Sequence, residues 1–146
     1  MFEIARETLE VLRGGDALGV AVVTGVHGST PRAPGSAMAV TAAGRAIGAI
    51  SGGCIESEAY ELALARHDDP GPVSETLGGE GDLLRPGLAC GGAVDVLAFR
   101  VTAGDDAVVA ALEASLDDGE VALTLPDGHV LVRPRAPRLV IVGAVD

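Results

Sequence analysis

Apolar and polar positions divide the chain into a short series of helices and strands. Between Phe2 and Arg13, Ala5, Thr8, Leu9 and Leu12 recur at helical spacing while Glu3, Glu7 and Glu10 fall elsewhere, so an amphipathic helix is expected. Gly14-Gly15 then ends it, as glycines past a helix terminus commonly do. Leu18 to Thr24 is a nearly unbroken apolar run rich in Val, the pattern of a strand buried on both faces. A loop with two prolines fills Gly25 to Gly35. Ser36–Val40 and Ala46–Ile50 then read as a strand pair joined through Thr41-Ala42-Ala43-Gly44-Arg45.

A second helix is expected from about Cys54 to about His67, with Ile55, Ala59, Leu62, Ala63 and Arg66 on its inner or boundary stripe. Glu56, Glu58 and Glu61 suit its first turns because acidic groups complement the helix dipole there. Val73–Leu77 reads as a strand, followed by a flexible Gly78–Asp82 stretch, and Ala93–Val101 as another strand with Val94, Val96 and Ala98 facing one way. Asp105 or Asp106 can cap a third helix in which Val108, Val109, Leu112 and Leu116 share a face. Glu120–Leu125 and His129–Arg133 pair around the turn Pro126-Asp127-Gly128. The expected fold is α/β: a mixed sheet flanked by about three helices, in one compact domain spanning residues 1–133.

Residues 134–137, Pro-Arg-Ala-Pro, read as a stiff linker. Beyond them, residues 138–146 begin with the apolar run Arg138-Leu139-Val140-Ile141-Val142-Gly143. That run reads either as a last strand of the same domain or as the first strand of a nucleotide-binding unit. The glycines, helix and acidic residue that would complete such a unit are not in the sequence.

Composition narrows the function. A chain of 146 residues is long enough for one domain with a hydrophobic core. Ten basic against 21 acidic residues give a net charge of −11, which repels phosphate backbones and argues against a nucleic-acid partner. Every basic residue other than His is Arg; without Lys there is no Walker-type loop, Schiff base or Ser-Lys dyad. The absence of Asn rules out a Cys-His-Asn triad. No apolar run approaches the roughly 18 residues of a membrane span, and the acidic first helix is unlike a signal peptide. A cytoplasmic location with reduced thiols is therefore expected.

Chemistry concentrates in three glycine-rich segments. Cys54 lies in Ser51-Gly52-Gly53-Cys54-Ile55-Glu56 and Cys90 in Leu88-Ala89-Cys90-Gly91-Gly92. The glycine pairs leave room beside each sulfur and free backbone amides for a ligand. At a helix start, Cys54 suits a nucleophilic or metal-binding thiolate; the competing reading is a small core filler. The two thiols stand 36 positions apart with no Cys-x-x-Cys or His pair, so they form no zinc site by themselves. In the loop before Gly35, the hydroxyls of Ser29 and Thr30 and the guanidinium of Arg32 can cradle a phosphate or carboxylate, or simply stabilise a surface turn. Glu56 suits a general base, an anchor for a ligand amine, or a first-turn charge. His27, His67 and His129 read as structural or solvated.

The combination of Gly28-Ser29-Thr30-Pro31-Arg32 with Gly35 and Met38, then Gly48 to Glu56 around Gly52-Gly53-Cys54-Ile55-Glu56, then Cys90-Gly91-Gly92 resembles the xanthine dehydrogenase accessory proteins, XdhC and its CoxI relatives. The resemblance runs from the first helix to the Pro-rich linker and implies that residues 138–146 begin a C-terminal Rossmann-like domain. Ala89 stands where a glycine often occurs, and Gly143-Ala144-Val145-Asp146 departs from a dinucleotide-binding Gly-x-Gly. The resemblance implies a maturation factor and cofactor chaperone, not a turnover enzyme. Its cargo would be the molybdenum cofactor and its partners a molybdenum hydroxylase apoenzyme and a cysteine desulfurase; a homodimer is expected from the glycine-rich, small-residue surface and the orphan last strand. Cys54 and Cys90 would then meet metal or sulfur, with Gly52, Gly53, Gly91 and Gly92 giving clearance and Ser29, Thr30 and Arg32 meeting the pterin phosphate. Rival expectations are a sulfurtransferase carrying a persulfide on Cys54, and a purely structural interaction module.

Overall fold

The computed structural model describes residues 1–30, 32–79 and 91–135. A single 3-10 turn, Phe2–Ile4, leads into α1 (Ala5–Arg13), whose buried residues are Ala5, Thr8, Leu9 and Leu12. Next come β1 (Leu18–His27), β2 (Ala37–Thr41), β3 (Ala46–Gly48) and α2 (Glu56–Ala65). They are followed by β4 (Val73–Gly78), β5 (Ala93–Val101), α3 (Asp106–Ala114) and the hairpin β6 (Val121–Thr124) with β7 (Val130–Arg133). Among these residues no helix is long and apolar enough to cross a membrane.

The main sheet has the order β3-β2-β1-β5-β4, and every described pairing in it is antiparallel. It is covered on both faces, so one compact α/β domain results. Alternation along β1 sends Leu18, Val20 and Val22 to one face, where α1, α3 and the β6–β7 hairpin add Leu9, Leu12, Leu112, Leu123 and Leu131. Ala21 and Val23 go to the other face, against Ile55, Ala59 and Ala63 around α2. A strand sandwiched in this way must be apolar at successive positions, which accounts for the unbroken run on β1.

Several expected boundaries move: β1 runs past the expected end at Thr24 to His27, so Gly25–His27 are strand and not loop. β3 stops at Gly48, whose φ is +82° and where a Cβ would lie 2.5 Å from both the Ala37 carbonyl and Ile4 Cγ2. The chain turns away there, and Ile50 leaves the strand to be buried on the α2 face. α3 ends at Ala114, where the Ser115 hydroxyl donates back to the Leu112 carbonyl, so Leu116 lies past the helix and is exposed, not on its inner face. Pro134 and Arg135 have no regular structure, while the rest of the linker and residues 138–146 lie outside the described residues.

The registers decide where the motifs go. Val22 faces Ala37, Met38 faces Gly48, and His27 and Gly78 both face Ala93. The C-terminal ends of β1, β3 and β4 and the N-terminal ends of β2 and β5 therefore share one end of the sheet. From that end emerge the Gly28–Gly35 loop, the Ser51–Ile55 loop and Gly91-Gly92.

Candidate functional site

The Ser51–Ile55 loop is organised around Glu56, the first residue of α2. Its Oε1 accepts the backbone N–H groups of Ile50, Ser51 and Gly52 at 3.2, 2.7 and 2.7 Å. Its Oε2 accepts the Gly53 N–H at 2.7 Å and the Ser51 hydroxyl. The Ser51 hydroxyl oxygen in turn accepts the N–H groups of Cys54 and Ile55 at 3.1 and 3.2 Å, leading the chain into the helix. Burial by itself would raise the Glu56 pKa, but the Ser51 hydroxyl and the amides of Ser51, Gly52 and Gly53 together hold it down at about 2. A carboxylate so fully engaged is a poor proton acceptor at neutral pH. The amides of Gly52 and Gly53 point at Glu56 and not outward.

What the two glycines do contribute is conformation and space. Their φ angles are +90° and +133°, and a Cβ on either would meet nothing within 4 Å. Cys54 follows them, half-buried, packed against the cluster formed by Ile50, Ile55 and Met38. It precedes α2 by two residues, close to the expected helix start. Cys90 lies outside the described residues.

The Gly28–Gly35 loop meets the third motif through its backbone. A Cβ at Gly92 would lie 2.2 Å from the Ser29 carbonyl oxygen and 2.9 Å from that of His27, so only glycine fits beneath this loop. Gly91, at φ +72°, has open space beside it. Within the loop the Thr30 hydroxyl donates to the Arg32 carbonyl at 3.0 Å, and the Arg32 guanidinium pairs with Glu3 at 3.4 Å. Ser29 is exposed. The structure thus brings Ser29, Thr30, Gly91 and Gly92 to the same sheet end as Gly52, Gly53 and Cys54, while Arg32 and Glu56 are turned to partners within the chain.

A second polar group went unread in the sequence. β1 carries a bulge between Val23 and Gly25, and beyond it His27 Nε2 contacts Asp95 Oδ2 on β5 at 2.7 Å. Gly25 makes this possible: a Cβ there would lie 2.6 Å from the same Asp95 oxygen. Thr76 of β4 donates its hydroxyl to Asp95 Oδ1 at 2.7 Å, and Thr24 donates to the Asp95 carbonyl at 3.3 Å. The available signal was an acidic residue on β5 at a position in phase with buried Leu97 and Phe99. The Asp95 pKa is lowered, first by the Thr76 hydroxyl and then by His27. Thr76→Val should therefore move the Asp95 titration upward toward the ordinary carboxylate range, followed by carbon-detected NMR. An unchanged titration would show that the hydroxyl does not stabilise the charge.

Residues 11–78 match the model of the XdhC and CoxI family, a span that includes two of the three motif loops. None of the curated proteins matches the chain significantly. A solved structure described as a xanthine dehydrogenase from Bacillus halodurans superposes with a TM-score of 0.63 at 19% identity, over 92% of this chain and 45% of that one. At that identity the likeness establishes a shared fold. The chain spans less than half the length of that protein.

Proposed function

We propose that this chain is a member of the XdhC and CoxI family and an accessory factor for a molybdenum hydroxylase such as xanthine dehydrogenase. In this reading it holds the molybdenum cofactor as cargo, supports its sulfuration with a cysteine desulfurase, and passes it to the apoenzyme. The observation that carries the reading is the convergence of the Gly28–Gly35, Ser51–Ile55 and Gly91-Gly92 segments at one end of the sheet. A soft thiol beside an open, side-chain-free approach suits a molybdenum or sulfur centre. Cys54 is that thiol among the described residues, and Cys90, which directly precedes Gly91-Gly92, is its proposed counterpart.

The structure redistributes the other roles. Glu56 acts as the internal anchor that shapes the Cys54 loop. A cargo phosphate would have to compete with Glu3 for Arg32, while Ser29 is exposed to meet it. The open space at Gly52 and Gly53 also suits a persulfide on Cys54, which makes sulfur transfer the second reading.

Co-purification decides between them. Wild-type protein expressed with cofactor biosynthesis intact should retain molybdenum and pterin, measured by elemental analysis and by fluorescence of the oxidised pterin. Cys54→Ser should lower retention by about tenfold or more, since even the loss of an outer-shell partner of a metal ligand costs that much. Retention unchanged in Cys54→Ser would remove that thiol from cargo binding. A persulfide on Cys54 detected by mass spectrometry, with turnover from a sulfur donor, would favour the transferase. Association with the dehydrogenase without any cofactor would favour a purely structural module.

A further inference from the structure

β4 is an edge of the main sheet. β5 pairs with one side of it in an unbroken register from Val73 to Gly78, and among the described residues no strand pairs with the other side. Alternate backbone N–H and C=O groups along that outer side are therefore open to one more strand. Pro, Lys and bulges commonly block such edges, and β4 has none of them. Its one charged residue is Glu75, which is exposed.

α2 packs over β1, β2 and β5 and stops short of this margin. The groove left between α2 and β4 has a volume of about 380 Å³. Its floor is apolar, from Leu62, Ala65 and Leu77, and its carboxylates are Glu58 and Glu61 on α2 and Glu75 on β4. No described basic residue lines it, and none of the three carboxylates is in an ion pair among the described residues. Glu58 differs from the other two: its Oε2 is buried and has no hydrogen-bond partner. A carboxylate oxygen withdrawn from water without a donor is unfavourable by itself, and a cation reaching the same carboxylate from the groove offsets that cost. The apolar floor suits the aliphatic stem of Arg or Lys, with its charged head on the carboxylates.

Edge and groove meet at Glu75 and Leu77, which share one face of β4. A strand added to β4 sends every second side chain to that face, beside Glu75 and into the groove. A second copy of the chain is a poor occupant. Its net charge is −11, and β4 carries Glu75 and no basic residue to answer it. We propose that β4 accepts an extended segment of a partner protein as an added strand, with an Arg or Lys side chain of that segment seated in the groove on Glu58 and Glu75.

The probe is a library of random seven-residue peptides displayed on phage and selected on the wild-type chain. Enriched sequences should carry Arg or Lys at alternate positions among β-branched or apolar residues. The best peptide, synthesised and titrated into isotopically labelled protein, should give saturable shifts at the amides of Ser74, Glu75 and Thr76. Glu58→Gln combined with Glu75→Gln should weaken it by about tenfold or more, the scale of charge-assisted bonds lost at a partly exposed site. Glu7→Gln, on α1, should leave the affinity unchanged. N-methylation of alternate peptide nitrogens, made in both phases, should abolish binding in the phase that faces β4, because the added strand then lacks its donors. The proposal is overturned by no enrichment over phage selected without the protein, by enriched peptides lacking basic residues, or by shifts confined to other elements. Unchanged affinity in the folded double variant, or full binding by both N-methylated peptides, overturns it equally.

Discussion

Gly19→Ala should destabilise the protein by about 3 kcal/mol or more, enough to lower its melting temperature by roughly 10 °C. Gly19 sits in β1, paired with Val40 on one side and Arg100 on the other, directly under α2. A Cβ there would lie 1.8 Å from the Ala63 carbonyl oxygen and 2.7 Å from its carbonyl carbon. Those are backbone atoms in a helix, so no side-chain rotation relieves the overlap. The helix must lift away, loosening Ile55, Ala59 and Ala63 from Val94 and Val96. Gly119→Ala is the matched control, since a Cβ there meets nothing within 4 Å and should change stability by less than about 0.5 kcal/mol. Urea unfolding of the two variants provides the comparison. A Gly19→Ala midpoint close to that of wild type would mean that α2 yields without cost.

Glu56→Ala should cost about 2–4 kcal/mol, because four backbone N–H groups and a hydroxyl lose their acceptor together. Glu56→Gln should recover little. The amide oxygen can still accept, but its NH₂ group faces donors where the second carboxylate oxygen stood. If the chain holds its cargo as proposed, both changes should reduce cofactor retention along with stability, since Cys54 is held by Ser51 and Ser51 by Glu56.

The same carboxylate predicts an acid-sensitive loop. Its folded pKa of about 2 lies below the ordinary value of 4.5. Its stabilisation is therefore fully present above the unfolded pKa and is lost as pH falls from there through the folded value. The loop is near solvent, so the amplitude should stay under about 2 kcal/mol. Wild-type urea midpoints should drop over that window more steeply than those of Glu56→Ala; parallel curves would show that another group controls acid sensitivity.

Most elements were legible because their patterns are local. The helical face of Ala5, Thr8, Leu9 and Leu12 and the alternation on β5 describe burial that any tertiary arrangement of those elements must honour. The boundary errors at Ile50 and Leu116 share one cause: chain breaks there are imposed by close backbone contact at Gly48 and by the Ser115 side-chain bond, neither of which leaves a hydrophobic pattern. The site was partly legible. The glycine pair beside Cys54 implies open space, and a Cβ on Gly52 or Gly53 would indeed meet nothing within 4 Å. The direction of the amides is not encoded in composition, so the competition between an external anion and Glu56 could not be judged before the loop closed. His27 and Asp95 stand 68 positions apart, and their meeting depends on a bulge and on Gly25 having no side chain.

By itself, the sequence determined the succession of α1, the strands, α2 and α3, the two-sided burial of β1, the resemblance carried by the motif loops, and the exclusion of lysine chemistry. Residue type and short-range periodicity suffice for each of these. Tertiary structure alone decided that Glu56 closes the Cys54 loop, that the described motif segments leave one sheet end, and that His27 meets Asp95 across the β1 bulge. Those outcomes depend on strand register and backbone direction, which are set by long-range pairing and packing.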